Sequence, residues 1–355
     1  MNFDLSTEQQ AIKQAARDFL AGKSDLRAVR RQVDAGTYDG ALWEGVKNQG
    51  WTGIAIPEAH GGAGLGYVEL AVVMEEFGYA CAPSPLLSNT AAAILLEHAG
   101  SEAQKSQWLS AIAAGEQRGA AGSVTRDGSA LVADAEGADV LVLVDGAAAR
   151  LVLPAEAEIT AVKAIDPTRR YFRVTGNGGV PLPGDVTAGL DRVEVALSAE
   201  LTGVAQRAME MAVEYAKVRQ QFGRPIGSYQ AVSHRCADML VDVESARSAT
   251  LFAAWAADAD PSQLSLAASV AKAQAAETGW NVAASSLQVH GGIGFTWEHD
   301  LHFFMKRAAA DARLFGSASQ HRDRVAGHYG LDPAPAQGAE AHAPAALAAP
   351  EPARV

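Results

Sequence analysis

Residues Gln288–Asp300 read QVHGGIGFTWEHD, with glycines at 291, 292 and 294 followed by Glu298, His299 and Asp300. Glycines remove the Cβ atoms that keep a ligand from the backbone, and the bared N–H groups of such a turn suit a phosphate. The stretch is neither a dinucleotide fingerprint nor a P-loop, because no strand precedes it and no GK[ST] follows. His290, His299 and His302 beside Glu298 raise a metal. The HExxH order is absent, however, and histidines dispersed among aromatics read as packing groups, so no metal site is expected. A second collection lies in RQQFGRPIGSYQ, where Arg219 at a helix end is followed by Gln221, Phe222, Gly223 and Arg224. Guanidinium groups, a ring and free backbone N–H groups at one turn suit an anionic, aromatic-containing cofactor. They also suit an interhelical turn with solvated arginines.

Helices must position both stretches. From Leu5, LSTEQQAIKQAARDFL offers a Ser/Thr cap and an apolar face of Ile12, Ala15, Ala16, Phe19 and Leu20. Similar periods recur to about Ala114 between Gly- and Pro-marked breaks. Short Val/Leu runs such as VLVLV and RLVLP, separated by DG, GA and PA turns, then predict strands in a small barrel or sandwich. Helical patterning resumes to about Ala326, with Val204, Ala208, Met211, Ala212 and Tyr215 on one stripe. The expected fold is mostly α with a small β domain: an N-terminal helical domain over 1–118, the β domain over 119–192 and a helical bundle over 193–328. The Ala/Pro-rich tail 329–355 has no aromatic after Tyr329 and is expected to be disordered.

A net charge of −12 over 355 residues argues against binding nucleic acid by phosphate neutralisation. Apolar runs such as AAAILLEHAG fall short of the roughly 20 residues that cross a bilayer. The opening MNFDLSTEQQ has neither a secretory nor a transit pattern, so a cytoplasmic location is expected. Cys81 and Cys236, far apart and without CxxC spacing, read as reduced packing residues.

Together, four stretches resemble the acyl-CoA dehydrogenase family, flavoproteins that introduce an α,β double bond into acyl-CoA thioesters. These are LSTEQQAIKQAARDFL, WTGIAIPEAHGGAGLGYVELAVVMEEFG, YAKVRQQFGRPIGSYQAVSHRCADM and LQVHGGIGFTWEHD, in the family's order. The resemblance implies a helical domain, a β-barrel and a four-helix bundle. It also implies FAD bound across a subunit interface, with Arg219, Phe222, Gln288 and Gly292 reaching the adenosine and pyrophosphate of a neighbour's flavin, helped by Gln221 and Gly291.

Two features of the family are missing. Its catalytic carboxylate, a Glu in a YEGT-like segment, falls on Phe315 in Leu314–Ser317, and a phenyl ring cannot accept a proton. Some members carry the base at the start of the first bundle helix, which here leaves Glu194 or Glu200 as candidates. The family's flavin-contacting TEPGAGSD-like turn is replaced by SVTRDGSALVAD, which reduces the barrel's flavin loop. Features that act within one chain are lost while those that act on a neighbour remain. The chain therefore resembles the partner subunit of heteromeric α2β2 acyl-CoA dehydrogenases of actinobacterial steroid side-chain breakdown. That resemblance implies a homologous partner bearing the catalytic Glu, a bulky acyl-CoA substrate and electron-transfer flavoprotein as acceptor. A self-sufficient homomeric enzyme using Glu194 or Glu200, and a non-catalytic scaffold, are the competing expectations.

Overall fold

The structure, a computed structural model, describes residues 4–176 and 178–331, so the expected tail lies outside the described residues after Leu331. Six helices open the chain: α1 Thr7–Lys23, α2 Leu26–Ala35, α3 Gly40–Asn48, α4 Tyr67–Tyr79, α5 Leu86–Ala99 and α6 Glu102–Ala113. The Ser6 hydroxyl accepts from Gln9 N–H at 3.2 Å while the Gln9 side chain accepts from Ser6 N–H at 2.9 Å, a reciprocal cap that fixes the start of α1. Every residue of α5 from Leu86 to Leu96 is buried.

Seven strands follow: β1 Gly119–Val124, β2 Ala130–Ala133, β3 Val140–Asp145, β4 Ala148–Val152, β5 Glu158–Val162, β6 Tyr171–Thr175 and β7 Val180–Pro181. They form one sheet in the order β5-β6-β2-β1-β3-β4-β7, antiparallel except where β1 runs parallel to β3. Alternation along β3 sends Val140, Val142 and Val144 to the main core and Leu141 and Leu143 to a second one. The buried members of that second core all lie between Ala120 and Val174, so the sheet curls over its own apolar face as a reduced barrel would.

The long helices α7 Val186–Val218, α8 Gln230–Ala259 and α9 Pro261–His290 make the bundle, with a two-residue hairpin of β8 Gln220–Gln221 and β9 Arg224–Pro225 between the first two. α7 starts at Val186, inside the turn-rich stretch that the sequence assigned to the end of the β domain. Asp185 caps Ala188 N–H at 2.9 Å, and Gly184 and Asp185 donate to the last carbonyls of α5. The fourth helix is split into α10 Leu301–Asp311 and α11 Ala318–His328. At the split Phe315 takes φ 53° and Gly316 φ 114°. The buried Lys272 ammonium on α9 fastens this break by donating to the carbonyls of Ala312 and Gly316 at 3.2 and 3.1 Å.

Two features tie the parts together. At Gly78 on α4 a Cβ would stand 1.9 Å from the carbonyl oxygen of Glu200, and at Gly203 on α7 one would stand 1.9 Å from that of Glu75. The backbones of α4 and α7 thus meet directly. Behind them, Glu200 Oε1 accepts from Arg169 at 2.7 Å and Arg307 at 2.5 Å, Arg169 reaches Asp311 at 2.5 Å and Arg307 reaches Asp166 at 2.8 Å, all fully buried. This ion cluster joins the β5–β6 connection to α7 and α10.

Candidate functional site

The parallel course of α7 and α9 brings the two chemistry-bearing stretches to one end of the bundle. Ser286 on α9 donates to the carbonyl of Ala208 at 2.6 Å, and His290, one turn beyond Ser286, stacks on Tyr215 with ring centres 4.7 Å apart. Arg219 lies one turn beyond Tyr215, and Gln288 two residues before His290. Both Arg219 and Gln288 are exposed.

The hairpin after Arg219 is held by its own bonds. The carbonyl of Arg219 accepts from Ile226 N–H at 2.8 Å, Tyr229 Oη donates to the carbonyl of Gln221 at 3.1 Å, and Arg224 lies 4.0 Å above the Tyr229 ring. At its tip Phe222 holds φ 53° and is 92% exposed. A left-handed non-glycine residue presenting its ring to solvent is strain of the kind that accompanies function. Opposite, Gly291 has φ 63°, and a Cβ at Gly291 or Gly292 would meet nothing within 4 Å. Gly294 differs: a Cβ there would stand 3.0 Å from His290, so its role is packing. Guanidinium, ring and open glycine backbone therefore fit the phosphate and adenosine end of a dinucleotide cofactor.

The histidines of this region pack. His290 Nδ1 lies 2.8 Å from the carbonyl of Ser286, its ring stands 4.4 Å from that of His299, and burial lowers the pKa of both. Among the described residues no group of three His, Cys, Asp or Glu is placed to hold a metal.

Phe315 and Glu194 meet at a second place, a cavity of about 300 Å³ lined with Ala147, Leu190, His321 and Arg324 among others. Arg324 donates to both carboxylate oxygens of Glu194, at 2.9 and 3.0 Å, and to Asp191 at 2.5 Å. Burial nevertheless pushes the Glu194 carboxyl up to about 8, against Arg324 and with a further push from Asp191. Burial likewise lowers His321 to about 4, and its Nδ1 stands 3.7 Å from Glu194, outside hydrogen-bond reach. Neither His321 nor Arg324 was singled out in the sequence. Arg324 and Glu194 are 130 residues apart, and no local pattern announces their pairing. Glu200 lies elsewhere, 1% exposed, with its Oε1 shared by Arg169 and Arg307.

The turn Thr125–Ser129 is closed on itself. Asp127 Oδ1 accepts from the Thr125 hydroxyl at 2.6 Å and from the Ser129 N–H and hydroxyl at 3.0 and 2.7 Å, while Oδ2 accepts from Arg173 at 2.9 Å. These bonds, the Thr125 hydroxyl first, hold the Asp127 carboxyl well below the usual range. Its hydroxyls are thereby committed within the turn.

Residues 6–116 match the family model for the acyl-CoA dehydrogenase N-terminal domain, and residues 185–329 that for the acyl-CoA dehydrogenase C-terminal domain. Acyl-CoA dehydrogenase IpdE2 of Mycobacterium tuberculosis is 37% identical over 87% of this chain and 93% of its own. Among solved structures, the ChsE4-ChsE5 complex of the same organism superposes with TM-score 0.84 at 25% identity, covering 94% of this chain and 100% of that one. The Tcur3481-Tcur3483 steroid ACAD does so with TM-score 0.81 at 28% identity, covering 91% and 98%.

Proposed function

The chain belongs to the acyl-CoA dehydrogenase family, whose cofactor is FAD, and from that premise we propose that it serves as a subunit completing the FAD site of a homologous partner chain. One contrast carries this reading. The end that would face a neighbour's cofactor is held by its own bonds and open, while the elements that would serve a flavin in the same chain are closed or replaced. Arg219 and Phe222 stand exposed at the same end of the bundle as the open glycines 291 and 292. By contrast, the Thr125–Ser129 turn has spent its hydroxyls on Asp127, and by the family resemblance Phe315 falls where the base is expected. The cavity beside Phe315, about 300 Å³, is at the lower limit of the roughly 300–1,000 Å³ of small-molecule sites, too small for a whole acyl-CoA.

Arg219, Gln288 and the backbone of Gly291 and Gly292 would hold the pyrophosphate, with Phe222 against the adenosine. When bound, FAD takes up the hydride that leaves the acyl β-carbon. In this reading the partner supplies the carboxylate that removes the α-proton. Similarity to a steroid ACAD and to a two-component complex supports a bulky steroid-type thioester and a heteromeric assembly. Electron-transfer flavoprotein is the acceptor that the family resemblance implies.

A second reading, in which this chain supplies its own base, is favoured by one observation: Glu194 lines the cavity at Phe315 and titrates near neutrality. The flavin content of the assembly decides between them. Co-purification with a homologous partner at one FAD per two chains supports the first, and full FAD loading and turnover by the lone chain would rule it out.

A further inference from the structure

The second half of QVHGGIGFTWEHD is fastened by the opposite end of the chain. Arg30 on α2 donates through Nε to Asp300 Oδ1 at 3.1 Å and through Nη2 to the same oxygen, across 270 residues of sequence. Its guanidinium stands 5.3 Å from the centre of the Phe303 ring and 5.9 Å from that of Trp297. Lys306 approaches the Trp297 ring at 4.7 Å, and His302 stacks on it at 4.3 Å with the planes 17° apart. Arg30 and Asp300 are 25% and 26% exposed, so their attraction works in partly desolvated surroundings.

Between Gly291 and Asp300 the backbone bonds are local, such as Thr296 N–H to the carbonyl of Ile293, and Ile293, Phe295 and Trp297 are exposed. The glycine turn hangs between the end of α9 and this clamp. A turn built on open glycines has conformational freedom to lose, and its N–H groups bind a pyrophosphate well only when already aligned. We infer that Arg30, acting through Asp300 and Trp297, is a positioning residue for the Gly291–Gly292 turn, by which the N-terminal helices set how that turn receives a cofactor pyrophosphate. This rests on the cofactor role proposed above for Arg219 and Gln288. Arg30 acts on affinity without touching the cofactor.

The test is FAD affinity of the purified assembly, read from flavin fluorescence as FAD is titrated at one fixed protein concentration, with thermal unfolding as the check on folding. Arg219→Ala reports on the underlying reading. Arg30→Ala is expected to weaken FAD about tenfold. Asp300→Asn is expected to weaken it similarly, and the double variant no further, because both remove one tie. If Arg219→Ala weakens FAD while folded Arg30→Ala and Asp300→Asn stay within about twofold of the wild type, the positioning role is overturned. If Arg219→Ala is without effect, the cofactor reading itself falls, and the role of Arg30 with it.

Discussion

Arg324 on α11 grips both carboxylate oxygens of Glu194 on α7, yet the carboxyl it grips is pushed up to about 8. Burial outweighs the ion pair, and the sign of the resulting pH dependence follows. With an ordinary value of 4.5, the unfolded chain has released this proton by pH 6 while the folded chain still holds it. The Glu194 contribution to stability is therefore fully present below pH 4.5, falls as pH rises, and is lost above about 8. Glu194→Gln mimics the protonated form, so its melting temperature relative to the wild type should rise steadily between those limits. A pH series of melting curves measures this, and a difference that is flat or falls with pH would contradict it.

Removing the grip has a different cost. Above about pH 8, where Glu194 is ionised, Arg324→Met leaves Glu194 and Asp191 side by side without their cation. Breaking a fully buried pair costs ~3–5 kcal/mol, but Arg324 is 35% exposed, so a loss of ~2–3 kcal/mol is expected. Denaturant midpoints at constant m-value give the number.

Glu194 and Glu200 separate by activity. In the flavin-bearing assembly, the proposed function, which puts the base in the partner, has Glu194→Gln leave kcat within about twofold. A fall of ~10²–10⁴-fold would place general-base catalysis in this chain. Glu200→Gln should instead unsettle the fold by ~3–5 kcal/mol, since it deprives Arg169 and Arg307 of their shared carboxylate.

Phe222 should show strain held for use. Phe222→Gly relieves a φ of 53° and removes a ring that is 92% exposed. The lone chain should lose no stability, staying within ~1 kcal/mol of the wild type. The same variant should weaken FAD retention in the assembly. Unchanged retention would take the ring out of the cofactor site.

Gly203→Ala should be among the most damaging single-methyl changes in the chain. Its Cβ would stand 1.9 Å from a backbone oxygen of α4, which no rotamer relieves. A loss of ~3 kcal/mol or more is expected, measurable by chemical denaturation. Gly292→Ala, with nothing within 4 Å, is the matched control for folding.

Local chemistry made much of this legible. The capped start of α1, the stripe on α7 and the RQQFG and QVHGG stretches are all written in residues a few positions apart, and periodicity or glycine content suffices to find them. What stayed hidden depends on side chains meeting across the fold. Arg30 and Asp300, Arg324 and Glu194, and Arg169 with Asp311 are pairs whose partners lie 130 or more residues apart, so no window of sequence contains both members. The early start of α7 was masked for another reason: Asp185 and Gly184 look like turn residues, and only their bonds to the end of α5 show that the turn is a helix cap.

The contact of α4 with α7 through Gly78 and Gly203 bears on how a cofactor could come and go. Helices in backbone contact at such a seam cannot hinge or slide without breaking it, so the N-terminal helices and the bundle are expected to move together. Any breathing between the two halves of the chain would have to break that seam. If, as proposed, the flavin lies between two chains, its exchange would follow the parting of the subunits, and its rate should then depend on protein concentration, as the escape of a molecule held between two jaws depends on how often the jaws part.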